Sequence, residues 1–406
     1  MMARVREVRA EASSVADAID EKEVVRLSQR LVRIPSIYHN EHRLGKFIFG
    51  MLDKWGLSPK FVPVEGCGPN VVSEIGPRDA PRVVFNGHMD TVEVMAGWKH
   101  DPFGAEIYKG MMYGLGTLDM KCGIATMLLA YRAIAESGGA KQVRFAFQAV
   151  TGEEDTGMGT WTLAESGAYK RSKAVIVGEG FGGLDEVTIG RRGASYFDID
   201  LRGRAAHGAT PEKGISAISD ASRLVSALDS LRGRTSRDMK GDDGTPLSES
   251  QTVLKIQGGS DSLSVPEKCY VYMVRYSLPG LKDRGEREIR DVIRSLGLRS
   301  KVDLRLKTGV HRYRPYRTSP GSALVKVALD AIKDQTGSRP KLIYGLSEAD
   351  DNKIARVTRA PIICFGPGES GELARYHQPE EAVRVSQLAP AARAYAAVAV
   401  TIATLS

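Results

Sequence analysis

Apolar residues recur at helical spacing over residues 14–33, at Val15, Ile19, Val24, Leu27 and Leu31, and the pattern stops near Pro35. This predicts one opening helix. Short, nearly uninterrupted apolar runs follow at FVPV (61–64), VVSEI (71–75), RVVFNG (82–87), VRFAFQAV (143–150) and AVIVG (174–178). They are separated by glycine-rich turns and by an apolar-periodic stretch from Gly123 to Glu136. Strand-like runs alternating with a helical period predict a layered α/β domain.

Near Gly190 the pattern changes. An alternating segment, ASYFDIDLRG, reads as a strand pair; a helix is expected from about Gly214 to Leu231, strands at 251–257 and 268–277, a helix at 283–295 and a strand at 301–306. With the first pair counted once, this β-α-β-β-α-β order matches a compact ferredoxin-like α+β unit. The α/β pattern then resumes with a helix at 321–335, the strand PIICFG at 361–366 and a terminal helix. The expected organisation is a two-domain α/β chain. A catalytic domain is split between 1–190 and 309–406, and a smaller α+β domain at 191–308 is inserted into it.

Composition narrows the possibilities. The chain has 406 residues, 42 % of them hydrophobic and 26 % charged, with a net charge of +8. That length suits two domains, and the excess of positive charge would help attract an acidic substrate but is thin for a nucleic-acid binder. Cys67, Cys122, Cys269 and Cys364 show no paired spacing and read as free thiols. Residues 1–30 are dense in charge. The apolar end from Ala394 falls short of the roughly 20 residues a membrane span needs, so it reads as a buried closing helix. A soluble protein in a reducing cytoplasm, with no membrane or nucleic-acid partner, is the expectation.

The candidate chemistry lies where strands end. His88 and Asp90 follow RVVFNG in GHMDT, two residues apart and on the same side of extended backbone. A metal-bound imidazole usually has a carboxylate partner that fixes its tautomer and orientation, and His-x-Asp supplies both pieces locally. Asp119 sits in YGLGTLDMKCG before the long helix, where it could equally be a helix cap. Glu153 and Glu154 follow the strand VRFAFQAV, Glu179 follows AVIVG, and His377 lies in RYHQPEE beyond PIICFG. Each has an ordinary reading alone. Together, two histidines and several carboxylates at strand ends fit zinc or a similar divalent ion, and so many acids suggest two metals bridged by a carboxylate.

The ordered segments GHMDTV, WKHDPFGA, YGLGTLDMKCG, TGEED, VGEG, RGRAAHGATPEKGISAI and YHQPEE span nearly the whole chain. They resemble the zinc hydrolase family that includes acetylornithine deacetylase, succinyl-diaminopimelate desuccinylase, aminoacylase and carboxypeptidase G. The resemblance implies that Asp119 bridges two divalent metals, zinc first with cobalt or manganese as alternatives. It implies further that His88 and Glu179 complete one site, and that Glu154 and His377 complete the other. Asp90 would orient His88, Glu153 would be the general base, and His207 in the inserted lid would meet the oxyanion of the tetrahedral intermediate. A cis peptide bond between Asp119 and Met120 and a homodimer through the lid are also implied.

The resemblance is imperfect. Leu115 stands where the family commonly has arginine, and Leu263 and Met273 alter two lid signatures. Arg275 survives and is the expected clamp for a substrate carboxylate. The basic-aromatic run from Val310 to Arg317 is expected to be a hinge. The leading expectation is a metal-dependent hydrolase of an amide bond in an N-acyl amino acid or small peptide with a free carboxylate. The alternatives are a hydrolase of a non-peptide C–N bond of the N-carbamoyl type, and a non-catalytic metal-binding relative.

Overall fold

The strands Arg144–Val150, Arg82–His88, Ser172–Val177 and Ile362–Cys364 lie side by side and parallel. In this computed structural model, residues 2–139, 143–231, 233–242, 244, 246–259, 261–368, 371 and 375–405 are described, without the side chains of 2–6 and 236–238. The parallel strands are almost wholly apolar because helices cover their sheet: Val83, Val84, Phe85, Phe145, Phe147, Val175 and Ile176 are buried. Antiparallel strands flank them. Asn70–Ile75 pairs with Arg144–Val150, Lys60–Val62 with Asn70–Ile75, and Thr188 of Glu186–Arg191 with Cys364. Strand Ile362–Cys364 thus sits inside the sheet, between strands that precede it by far in the chain.

This sheet belongs to a unit formed by residues 1–190, 317–343 and 349–406. Helix Lys121–Glu136 is buried along nearly its whole length and packs on helix Leu388–Thr404, which also contacts helices Met2–Asp17 and Ala323–Thr336. At Gly123 a β-carbon would stand 2.0 Å from the carbonyl oxygen of Gly178, so only glycine lets this helix pass the end of strand Ser172–Val177. The opening segment differs from expectation. It forms two helices, Met2–Asp17 and Glu21–Val32, because Asp20 takes an extended conformation and accepts the Lys22 N–H as an N-cap. The closing helix begins at Leu388, earlier than the apolar run alone suggests.

The second unit comprises Arg191–Tyr316 with Tyr344–Glu348. Its sheet runs in the order Ser250–Gly258, Lys268–Ser277, Gly193–Arg202, Lys301–Leu306, every neighbouring pair antiparallel. With helices Ala217–Asp229 and Gly285–Ser295 in the crossovers, this is the ferredoxin-like arrangement. Phe197, Ile199, Leu201, Leu224, Val271, Met273 and Ile289 fill the core between the helices and the sheet. ASYFDIDLRG is one strand rather than a pair, since its partners are the distant strands on either side. Arg312–Tyr313, in the run expected to be a hinge, adds a short strand against Ala194 and Ser195. A hairpin-like pair, Thr235–Lys240 with Pro246–Ser248, lies in a polar stretch where no strand is expected from the pattern.

Candidate metal centre

Parallel strands present their carboxyl ends along one edge, and in this sheet each such end leads into an acidic or histidine side chain. His88 is the last residue of its strand, Glu153 and Glu154 follow Val150, Glu179 follows Val177, and the chain leaving Cys364 leads on to His377. Asp119 arrives from outside the sheet, just before helix Lys121–Glu136, and the Asp119–Met120 peptide bond is cis.

The Asp119 carboxylate lies between two imidazoles. Its Oδ1 is 2.8 Å from His88 Nε2 and its Oδ2 is 3.4 Å from His377 Nε2, which in turn is 3.0 Å from Glu154 Oε2. Ligand atoms of His88, Asp119 and Glu154 all fall within 4.8 Å of one another. Asp90 accepts the N–H of Glu154 at 2.9 Å through Oδ2. The His88 Nδ1 lies 3.0 Å from the Asp90 backbone carbonyl and 3.7 Å from its carboxylate Oδ1. The main-chain oxygen therefore takes the Nδ1 proton and leaves Nε2 as the nitrogen that faces Asp119. Glu179 is 4 % exposed.

Electrostatically the cluster asks for positive charge. Burial alone would lower the His88 pKa, but the bond and charge of Asp119 raise it well above the ordinary value. Asp119 and Glu154 push His377 up to about 10. Burial would raise Asp119, yet the two histidines hold it well below the usual carboxylate range. Glu153 is raised well above its ordinary value by burial, with the charges of Asp350, Glu179 and Glu154 adding to it. Two buried oxygens, Glu154 Oε1 and Asp90 Oδ1, have no hydrogen-bond partner among the described residues. Hard oxygen donors, imidazole nitrogens and an orphaned carboxylate oxygen converging on one spot fit divalent cations.

The remaining expected residues lie in the second unit. His207 is exposed, and its Nδ1 accepts the Ala209 N–H at 3.1 Å. Arg275 is 2 % exposed, donates to Gln251 Oε1 at 2.7 Å and to Glu288, and lies 3.6 Å from Glu249. The guanidinium expected to clamp a substrate carboxylate is thus engaged within its own unit by Gln251, Glu288 and Glu249. Leu115 is buried and Leu263 is 76 % exposed.

Several supporting residues escape the sequence pattern. Glu381 is buried and accepts the N–H groups of Gly116, Leu118 and Asp119. The Tyr376 hydroxyl bonds the carbonyls of Gly180 and Phe181, and buried Lys121 donates to Ile34 O at 2.8 Å. Asp350 is 2 % exposed, and neither of its oxygens makes a well-formed hydrogen bond. Burial pushes it up to about 7 against the opposing pull of His88 and Thr160. Tyr376 and Glu381 flank His377 within one short motif, which is the one signal that could have marked them.

Comparison with known proteins agrees with this geometry. Residues 84–401 match the family model described as peptidase family M20/M25/M40. The chain therefore belongs to that family. A "Probable succinyl-diaminopimelate desuccinylase" of Staphylococcus epidermidis is 29 % identical over 204 residues, 49 % of this chain and 49 % of that protein, so the chain spans about half the length of that relative. "Succinyl-diaminopimelate desuccinylase 2" of Shewanella loihica is 26 % identical over 92 % of this chain and 98 % of its own. The crystal structure of aminopeptidase PepT from Bacillus cereus superposes with a TM-score of 0.74 at 21 % identity, covering 95 % of this chain and 100 % of that one, which shows the shared fold.

Proposed function

We propose that this chain is a dinuclear zinc-dependent hydrolase that cleaves the amide bond of an N-acyl amino acid or small peptide bearing a free carboxylate. The observation that carries the reading is the Asp119 carboxylate, one oxygen toward His88 and the other toward His377, with Glu154 alongside. His88, Asp119 and Glu179 would hold one ion, and Asp119, Glu154 and His377 the other. When bound, the ions supply Lewis acidity, which polarises the scissile carbonyl and makes water a nucleophile near neutral pH.

The chain's own groups do the rest. Glu153, adjacent to Glu154 and not needed in either ligand set, takes the proton of the attacking water on its carboxylate and returns it to the leaving amine nitrogen. Asp90 holds the His88 ring through its main-chain oxygen and the Glu154 backbone through its carboxylate. His207 donates to the oxyanion of the tetrahedral intermediate. The net charge of +8 favours an anionic substrate. The relatives' names favour an N-succinyl amino acid, and so a place in amino-acid metabolism. A homodimer through the second unit and a cytoplasmic setting complete the proposal, the latter supported by the absence of a disulfide among the described cysteines.

A hydrolysis screen tests it, using N-acetyl, N-succinyl and N-carbamoyl amino acids and dipeptides with zinc, cobalt or manganese. Hydrolysis of N-acyl substrates is expected, and turnover of N-carbamoyl compounds alone would overturn the substrate class. Glu153→Gln should keep two metals per chain and lose about a hundredfold or more in kcat. Retention of more than about a tenth of the wild-type value would remove Glu153 from its role.

A further inference from the structure

Near two of the ligands, His88 and His377, stand three side chains whose hydrogen bonds go to the backbone of, or just after, a different ligand. Asp90, two residues after His88, accepts the Glu154 N–H at 2.9 Å. The hydroxyl of Tyr376, immediately before His377, lies 2.8 Å from Gly180 O and 2.9 Å from Phe181 O, the carbonyls that follow Glu179. Glu381, four residues after His377, accepts the Leu118 N–H at 2.7 Å and the Asp119 N–H at 3.2 Å on Oε1, and the Gly116 N–H at 3.0 Å on Oε2.

Segment 114–119 is irregular, with positive φ at Gly114 and Gly116, and its buried N–H groups have no strand or helix to receive them. Such groups need acceptors, and Glu381, 1 % exposed, supplies three of them from a distant part of the chain. Its neighbour turns elsewhere. Glu380 accepts the Lys99 and His100 N–H groups at 2.7 and 3.1 Å and lies 2.8 Å from His100 Nδ1.

We propose that Glu381 is a positioning residue of the metal centre: it fixes the 116–119 segment to the His377 loop, so that the Asp119 carboxylate faces both ion positions at once. Tyr376 steadies the segment that follows Glu179, a ligand to one ion position, whereas Asp119 faces both. This rests on the two-metal reading above. Neither residue touches an ion or the reacting atoms. Glutamine at 381 is nearly isosteric, but its amide would turn a donor toward backbone donors on one side or the other, so the segment loses its fixed position without losing volume.

The test is a cobalt(II) titration of the metal-stripped full-length protein, followed by calorimetry and by the visible absorption of bound cobalt. Glu381→Gln should weaken both binding steps by about ten- to a hundredfold, the usual range for groups that orient ligands. Tyr376→Phe should weaken one step by a similar factor and leave the other within about twofold. Glu380→Gln, which alters a brace on residues 99–100 alone, should titrate like wild type. A Glu381→Gln protein that binds cobalt as wild type does overturns the proposal, and so does equal weakening by Glu380→Gln, which would mark a general loosening of the fold. If Glu381→Gln does not fold, weakening of both steps by Tyr376→Phe overturns the division of labour by itself. A wild-type protein saturating at one cobalt defeats the dinuclear reading instead, and Glu381 then stands or falls on that single step.

Discussion

Each unit holds a cluster of buried charge, and the two clusters are built in opposite ways. In the second unit, Arg275 and Glu249 are each 2 % exposed in their side chains, and their partners are close: Arg234 donates to Glu249, one Arg275 nitrogen donates to Glu288 and lies 3.6 Å from Glu249, and the other donates to Gln251. In the first unit, Asp90, Glu154 and Asp350 each leave a buried oxygen without a hydrogen bond among the described residues. A buried charge that is fully paired holds a fold together, whereas a buried carboxylate left short of partners awaits a cation. The contrast separates structural acids from functional ones without reference to any relative.

Three experiments press on that contrast. Zinc at a thousandfold excess over its dissociation constants should stabilise the first unit by about 4 kcal/mol for each of the two sites and leave the second unchanged. Trp55, Trp98 and Trp161 all lie in the first unit, so tryptophan fluorescence during urea unfolding reports that unit alone. Asp119→Ala should abolish the shift. A zinc-independent fluorescence midpoint would break the contrast.

Arg275→Leu should cost the second unit about 3 kcal/mol, because it leaves Glu249 and Glu288 beside an apolar group. Far-UV circular dichroism should then show a new early transition, with the tryptophan signal unmoved. An unchanged midpoint would mean that Arg275 is not the keystone its contacts suggest, and would favour a role in binding.

The smallest effect is the response to acid. Burial would raise Glu249, but the side-chain and backbone bonds and the charge of Arg234 bring it below its ordinary value. A depressed carboxylate contributes stability that is fully present above its unfolded pKa and fades as pH falls through the folded one. The second unit should therefore weaken below about pH 4.5. Glu249→Gln should flatten that part of the profile, and an equally steep decline in the variant would assign the acid sensitivity elsewhere.

What the sequence discloses follows from how local each signal is. His88, Glu154 and Glu179 are readable because each comes within a few residues of an apolar run that ends a parallel strand. The surroundings of Arg275 are not legible because nothing local announces Glu249, Gln251 and Glu288, which gather round it only once the sheet and helix Gly285–Ser295 are formed. The break at Asp20 hides in a periodicity that continues across it, and the pair Thr235–Lys240 with Pro246–Ser248 has no apolar alternation to betray it. Glu381 is harder still. Its work is to receive main-chain hydrogen, and main-chain donors leave no mark on side-chain pattern.

Strand Ile362–Cys364 lies between Ser172–Val177 and Glu186–Arg191, which bears on how the protein is made. About 185 residues separate Val177 from Ile362, so at the usual pace of synthesis a gap one strand wide stays open for roughly 10 to 40 seconds. The ferredoxin-like unit, whose strands are all near one another in the chain, is complete before that gap closes. The large sheet meanwhile presents two unpaired strand edges, the surfaces most prone to mispairing on a ribosome crowded with copies of itself. The growing chain thus carries its finished small unit on an unfinished large one, and it is during that interval that chaperones have most to protect.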